Sequence, residues 1–183
     1  MNLVELLDMH RAHYLDHFVQ SLAKWSGGRS EVLLEMDRYV PDPIYKLFRG
    51  DYVREVKGEI KLTSFTLSGP FEHEIYRESR GGMMVEVHPF EWSECMVQVL
   101  CERFDRQALE AWATYWIDSE DEKPYDADGV QQVIHYFSPP TYPEGKLTFA
   151  VDLGTAPVRA VMELIRLFQV EPGTLKVTIG ADF

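Results

Sequence analysis

The chain is predicted to fold as one α+β domain spanning residues 1–183, a mostly antiparallel sheet with helices packed on one face. Three observations predict it. Strand-like alternation clusters in the middle of the chain. Helical periodicity occurs at the start, before an acidic stretch, and near the end. The last part, Lys146 to Asp182, reads as strand, helix, strand. The composition agrees: 45% hydrophobic and 13% aromatic residues are those of a globular chain able to bury a core without disulfides or a structural metal.

The elements follow in order. Leu3 to Trp25 reads as an amphipathic helix: Leu3, Val4, Leu7, Tyr14, Leu15, Phe18, Leu22 and Trp25 share one arc, with Glu5, Asp16 and Gln20 opposite. Gly27-Gly28 ends it. Glu31 to Val40 reads as a strand, broken by Pro41-Asp42-Pro43. Val56 to Arg77 reads as a hairpin turning at Ser68-Gly69-Pro70, with Phe71, His73, Ile75 and Arg77 on one face of the return strand. Gly81-Gly82 turns again, and Met83–His88 and Glu94–Glu102 follow as strands. Asp105 caps a helix from Arg106 to Ile117 bearing Leu109, Trp112, Tyr115 and Trp116. Asp118 to Asp128 reads as a surface loop, Val130–Phe137 as a strand, and Ser138–Gly145 as a proline-rich loop. Leu147, Phe149, Val151 and Leu153 alternate as a strand. Thr155 is the expected N-cap of a helix from Val158 to Gln169, and Leu175, Val177 and Ile179 close as a strand.

Cys95 and Cys101 lie six residues apart on one strand, so their Cα atoms are separated by about 20 Å, well beyond the roughly 7 Å a disulfide tolerates. Both face the core side with Val97 and Val99. Two buried free thiols fit a reducing cytoplasm. No signal peptide is expected at Met1-Asn2-Leu3-Val4-Glu5, and no membrane span is expected, since no apolar run approaches about 20 residues.

The charge is 30 acidic against 18 basic residues, a net −12. That argues against nucleic-acid binding, which needs a basic face. Six of the acids (Asp118, Glu120, Asp121, Glu122, Asp126 and Asp128) fall in one stretch opposed only by Lys123. This stretch directly follows the helix carrying Trp112 and Trp116, whose spacing suits core packing or an aromatic anchor beside the loop. Together they form the predicted surface for a basic protein partner.

No catalytic, metal or cofactor site is predicted. His10, His13 and His17 fall on one shoulder of the first helix. The pair at i, i+4 has metal-chelating spacing but no zincin glutamate, and the shoulder reading or an interface suits them better. Asp126-Ala127-Asp128-Gly129 matches part of a calcium loop, yet the first and last ligand positions would be Pro124 and His135. Asp152-Leu153-Gly154-Thr155 resembles a phosphate motif of actin-like ATPases but stands in the wrong place, and reads as strand exit, tight turn and N-cap. No Gly-x-Ser-x-Gly elbow occurs.

In overall character, and in the terminal strand-helix-strand, the chain resembles the immunity proteins of bacterial polymorphic toxin systems. That resemblance implies a cytoplasmic, non-catalytic inhibitor whose acidic surface occludes a toxin's active site. The alternatives are an enzyme with carboxylate or histidine chemistry in a sheet cleft, near His73, His88 or His135, and a homo-oligomeric structural subunit built on the first helix.

Overall fold

Alternation along the central strands separates a buried face from an open one, and that separation organises the molecule. A computed structural model describes residues 1–40, 42–67 and 69–180. In chain order these form α1 (Leu3–Leu22), β1 (Gly28–Glu35), a 3₁₀ turn (Pro43–Lys46), β2 (Leu47–Val56), β3 (Glu59–Thr63), β4 (Tyr76–Arg80) and β5 (Met83–Val87). There follow a 3₁₀ turn (Trp92–Glu94), β6 (Cys95–Cys101), α2 (Arg106–Ile117), β7 (Tyr136–Phe137), β8 (Lys146–Asp152), α3 (Val158–Val170) and β9 (Thr174–Ile179). The fold is α+β, with an open and mostly antiparallel sheet.

The strand order is β1-β2-β7-β8-β6-β9-β5-β4, with β3 also paired to β2. Among the described residues, only β5 and β9 pair in parallel. Strand β6 runs antiparallel to both β8 and β9, so the terminal β8-α3-β9 unit is a crossover split by β6. On β6, Cys95, Val97, Val99 and Cys101 are buried, while Met96, Gln98 and Leu100 turn away and are partly exposed. Both thiols are free. Helix α3 packs against α1 and α2, and Leu164, Ile165 and Phe168 drive its apolar stripe into the common core. No helix among the described residues is long and apolar enough to cross a membrane.

Several boundaries differ from expectation, each for a local reason. Helix α1 stops at Leu22, where the backbone tightens through Lys24 N–H to Ser21 O. Strand β1 starts at Gly28 and ends at Glu35, because Arg38 N–H turns back to Met36 O. The predicted 56–77 hairpin is replaced by two. The first joins β2 and β3 through Lys57-Gly58, both left-handed at φ 56° and 82°, the geometry of a two-residue hairpin turn. The second joins β4 and β5 at Gly81-Gly82. Residues 71–75 are irregular, and the expected turn residue Ser68, like Pro41 and the terminal Asp182, lies outside the described residues. Strand β2 escaped sequence reading because Arg49 and Asp51 occupy one of its inward faces.

The predicted 130–137 strand shrinks to Tyr136–Phe137. Gln132 is left-handed at φ 59°, and the preceding segment satisfies its backbone irregularly, through Ile134 N–H to Trp116 O and His135 N–H to Asp152 O. Thr155 is not the cap of α3. Pro157 holds that position, and the Thr155 hydroxyl is spent elsewhere.

Leu164→Ala is expected to cost about 3 kcal/mol, because Leu164 is 2% exposed and leaves a cavity at the helix–sheet seam. Leu175→Ala, at a position 67% exposed despite its strand pattern, should change stability by less than about 0.5 kcal/mol. Urea unfolding with an unchanged m-value checks both.

Candidate functional site: a buried charge network beneath an acidic loop

The register Ser30↔Tyr52 and Val32↔Gly50 sets Glu31 opposite Asp51 across β1 and β2. Two carboxylates so placed repel unless something cationic enters between them. The 130–135 segment supplies it. His135 Nε2 donates to Glu31 Oε1 at 2.8 Å, and Nδ1 lies 3.0 Å from Asp51 Oδ1 and 4.0 Å from Asp152 Oδ2. Glu31 is fully buried, with a left-handed backbone at φ 51°, and also accepts from the Thr155 hydroxyl and from Gln131 N–H. Gly154 packs so closely on the imidazole that a Cβ there would stand 2.2 Å from the ring.

Burial by itself would lower the imidazole's affinity for a proton. The contacts with Asp51 and Glu31 and the charge of Asp152 outweigh it and hold His135 well above its ordinary range. Asp152 moves the other way from a normal carboxylate. Burial pushes it up to about 6, with Asp51 and Glu31 adding and His135 and Gly154 N–H opposing. Asp51, Asp152 and His135 line a pocket of about 250 Å³ where the sheet splits between β2 and β8.

Two residues before Asp51 on β2, Arg49 is buried, donates its backbone N–H to His135 O, and gathers the loop that follows α2. Its Nε donates to Ile117 O at 2.9 Å. Nη1 donates to Glu31 O at 2.9 Å, Asp121 Oδ1 at 2.6 Å and Gln131 Oε1 at 2.8 Å. Nη2 donates to Asp118 O at 2.6 Å and lies 3.3 Å from Asp118 Oδ2. The guanidinium therefore satisfies the unpaired carbonyls at the C-terminus of α2, where a cation also suits the helix dipole.

The six predicted acids separate into two groups. Asp118 and Asp121 face inward to Arg49, and Asp126 closes its own turn by accepting from Asp128 N–H and Val130 N–H. Of the six only Asp118 is buried; Asp121 and Asp126 stay exposed while so engaged, and Glu120, Glu122 and Asp128 are exposed as well. Lys123 does not sit among them. Its ammonium lies over the rings of Tyr115 and Trp116 at 4.9 Å and 4.8 Å. Trp112 and Trp116 are 6% and 4% exposed, and their indole N–H groups donate to Ala160 O and Glu163 Oε2. Tyr115, 57% exposed, is the aromatic that the helix presents outward.

The histidines meet in pairs, His10 with His73 and His13 with His17, and not as one cluster. His10 is not a shoulder residue: it is buried, stacks on Phe90 at 4.2 Å, faces Phe90 O through Nδ1, and meets His73 Nε2 at 2.9 Å. His88 bonds Glu86 on the open sheet face. Among the described residues, no group of three or more His, Cys, Asp or Glu side chains is arranged to hold a metal ion.

No protein family matches this chain, and neither a characterised protein nor a solved structure is measurably similar to it.

Sequence patterning does not single out Glu31, Arg49, Asp51 or Gln131, and it assigns Thr155 to a helix cap rather than to Glu31. The available signal was a pair of opposite charges at i, i+2 inside a strand, at Arg49 and Asp51. The Asp152–Thr155 turn was noticed, but for a different chemistry.

Arg49→Met is expected to cost about 3–5 kcal/mol, since it strands buried acceptors and Asp118. Arg49→Lys should not rescue it, because an ammonium lacks the planar fork. Hydrogen exchange should show amides 118–123 opening in both variants before the sheet does.

Burial, with His73 and His13 adding and the Phe90 carbonyl opposing, pushes His10 down to about 4 from 6.5. The unfolded chain therefore takes up that proton first, and stability falls as pH drops from about 6.5 to about 4, by about 3 kcal/mol for this group. His135, raised, acts in the opposite sense: its contribution is complete below about 6.5 and declines as pH climbs through its folded value. Asp152, also raised, lowers stability as pH rises from about 4 to about 6. His10→Phe should flatten the acid limb relative to wild type, read as chemical denaturation midpoints between pH 4 and 7.

Proposed function

We propose that the protein is an acidic binding protein that neutralises a basic protein partner, in the manner of a bacterial immunity protein acting in a reducing cytoplasm. The observation that carries this reading is the organisation of the acidic loop. Arg49 holds Asp118 and Asp121 from within, Lys123 is turned onto Tyr115 and Trp116, and Glu120, Glu122 and Asp128 are left outward. A loop held this way loses little conformational freedom on binding, so more of its contact energy is kept as affinity. Its negative field speeds encounter with a basic surface and disfavours acidic ones. Exposed Tyr115 beside the loop supplies an amphipathic anchor. The mechanism is occlusion: the loop and the adjacent end of α2 cover the partner's catalytic face.

Co-expression with the products of adjacent genes tests this. A stable complex is expected with one basic product, together with protection of the host cell from it. Glu120→Lys, Glu122→Lys and Asp128→Lys combined should weaken the complex by at least about 100-fold at low salt, mostly through the association rate, with stability unchanged. A complex insensitive to this triple replacement, or no complex with any neighbouring product, overturns the reading.

A further inference from the structure

The pocket at the split of the sheet is separate from the acidic loop's outer surface. Asp51, Asp152, His135 and Ser64 line its polar side, and Phe48 and Leu62 its apolar side. His135 is 2% exposed, and its Nδ1 has no hydrogen-bond partner. Asp51 Oδ1 is close enough for charge attraction, yet it lies off the N–H direction, and Asp152 is further away at 4.0 Å. A buried N–H left this way costs free energy until an acceptor reaches it. The two carboxylates beside it require the reverse, donors.

The charges narrow the ligand. Arg49 also lines the pocket, but its guanidinium is taken up by Asp118 and Asp121, so Glu31, Asp51 and Asp152 outnumber the imidazole and an anion is disfavoured. An alkylammonium supplies donors to the carboxylates but has no lone pair for Nδ1–H. A hydroxyl does both at once, accepting from the imidazole and donating to a carboxylate. Neighbouring hydroxyls on one carbon skeleton would engage Asp51 and Asp152 together, while Phe48 and Leu62 pack the carbon-bound hydrogens. At about 250 Å³ the pocket is of single-ring size, just below the usual ligand-pocket range of roughly 300–1,000 Å³.

We propose that the pocket formed by Asp51, Asp152, His135 and Ser64 binds a neutral polyol of monosaccharide size, with a hydroxyl bridging His135 Nδ1–H and the carboxylates. The test is calorimetric titration of the full chain, with NMR of the His135 ring resonances. The probes are neutral hexoses, inositol, methyl glycosides, butylamine and acetate. At least one neutral polyol is expected to bind and to shift the His135 Nδ1–H resonance. Binding by methyl glycosides would assign a glycan end, and binding by free polyols alone a free metabolite; both support the site. Asp152→Asn should weaken binding about tenfold or more, the value of a hydrogen bond to a charged group. Leu62→Trp, which fills the mouth without touching the charges, should do the same. The loop triple replacement should leave polyol binding unchanged, so failure of the partner reading and failure of this one are separable. Binding by butylamine alone, binding by no polyol in the panel, or wild-type affinity in Leu62→Trp overturns the proposal.

Discussion

One buried guanidinium ties together parts of the chain that no local pattern connects. Arg49 stands in the interior of β2 and reaches the C-terminal carbonyls of α2, the backbone of β1 at Glu31, the amide of Gln131 and two carboxylates of the acidic loop. A cation there is unfavourable alone, because burial removes its water. It becomes tolerable because each donor direction finds an oxygen and because Asp118 and Asp121 supply the opposing charge. The same demand shapes the neighbours: Asp118 and Asp121 both take left-handed backbone conformations, at φ 57° and 54°, to bring their oxygens to it.

The second network, around His135, obeys the same rule with opposite sign. Strand pairing sets Glu31 and Asp51 across from each other, and the imidazole enters between them. The two networks share Glu31, whose backbone carbonyl serves Arg49 and whose carboxylate serves His135 and Thr155. The two networks are therefore physically continuous. The acidic loop and the sheet-split pocket, though they present different chemistry to solvent, rest on a common foundation.

Much of the architecture was legible because it is written in short-range periodicity. The α2 helix, the β6 strand with its two inward thiols and the β8-α3-β9 unit all follow from residues within a few positions of one another. The failures share a cause. Residues 130–135 have a strand's composition but are drawn out of regular pairing to place Gln131 and His135 beside Glu31. Thr155 has a cap's chemistry, but its hydroxyl is taken by the same carboxylate. Of the two readings open for Trp112 and Trp116, core packing or an anchor beside the loop, burial agrees with the first.

The sequence by itself determined the α+β class, the closing strand-helix-strand, the buried thiols and the concentration of acids between residues 118 and 128. Each is a property of neighbours in the chain. Only the tertiary structure decided which of those acids are left to solvent and which meet Arg49. It also decided that His135, rather than His13 or His17, meets carboxylates. Thr155 and Glu31 are 124 positions apart, and Arg49 and Gln131 are 82 apart. Interactions over such separations arise from strand order and burial, which no local spacing encodes.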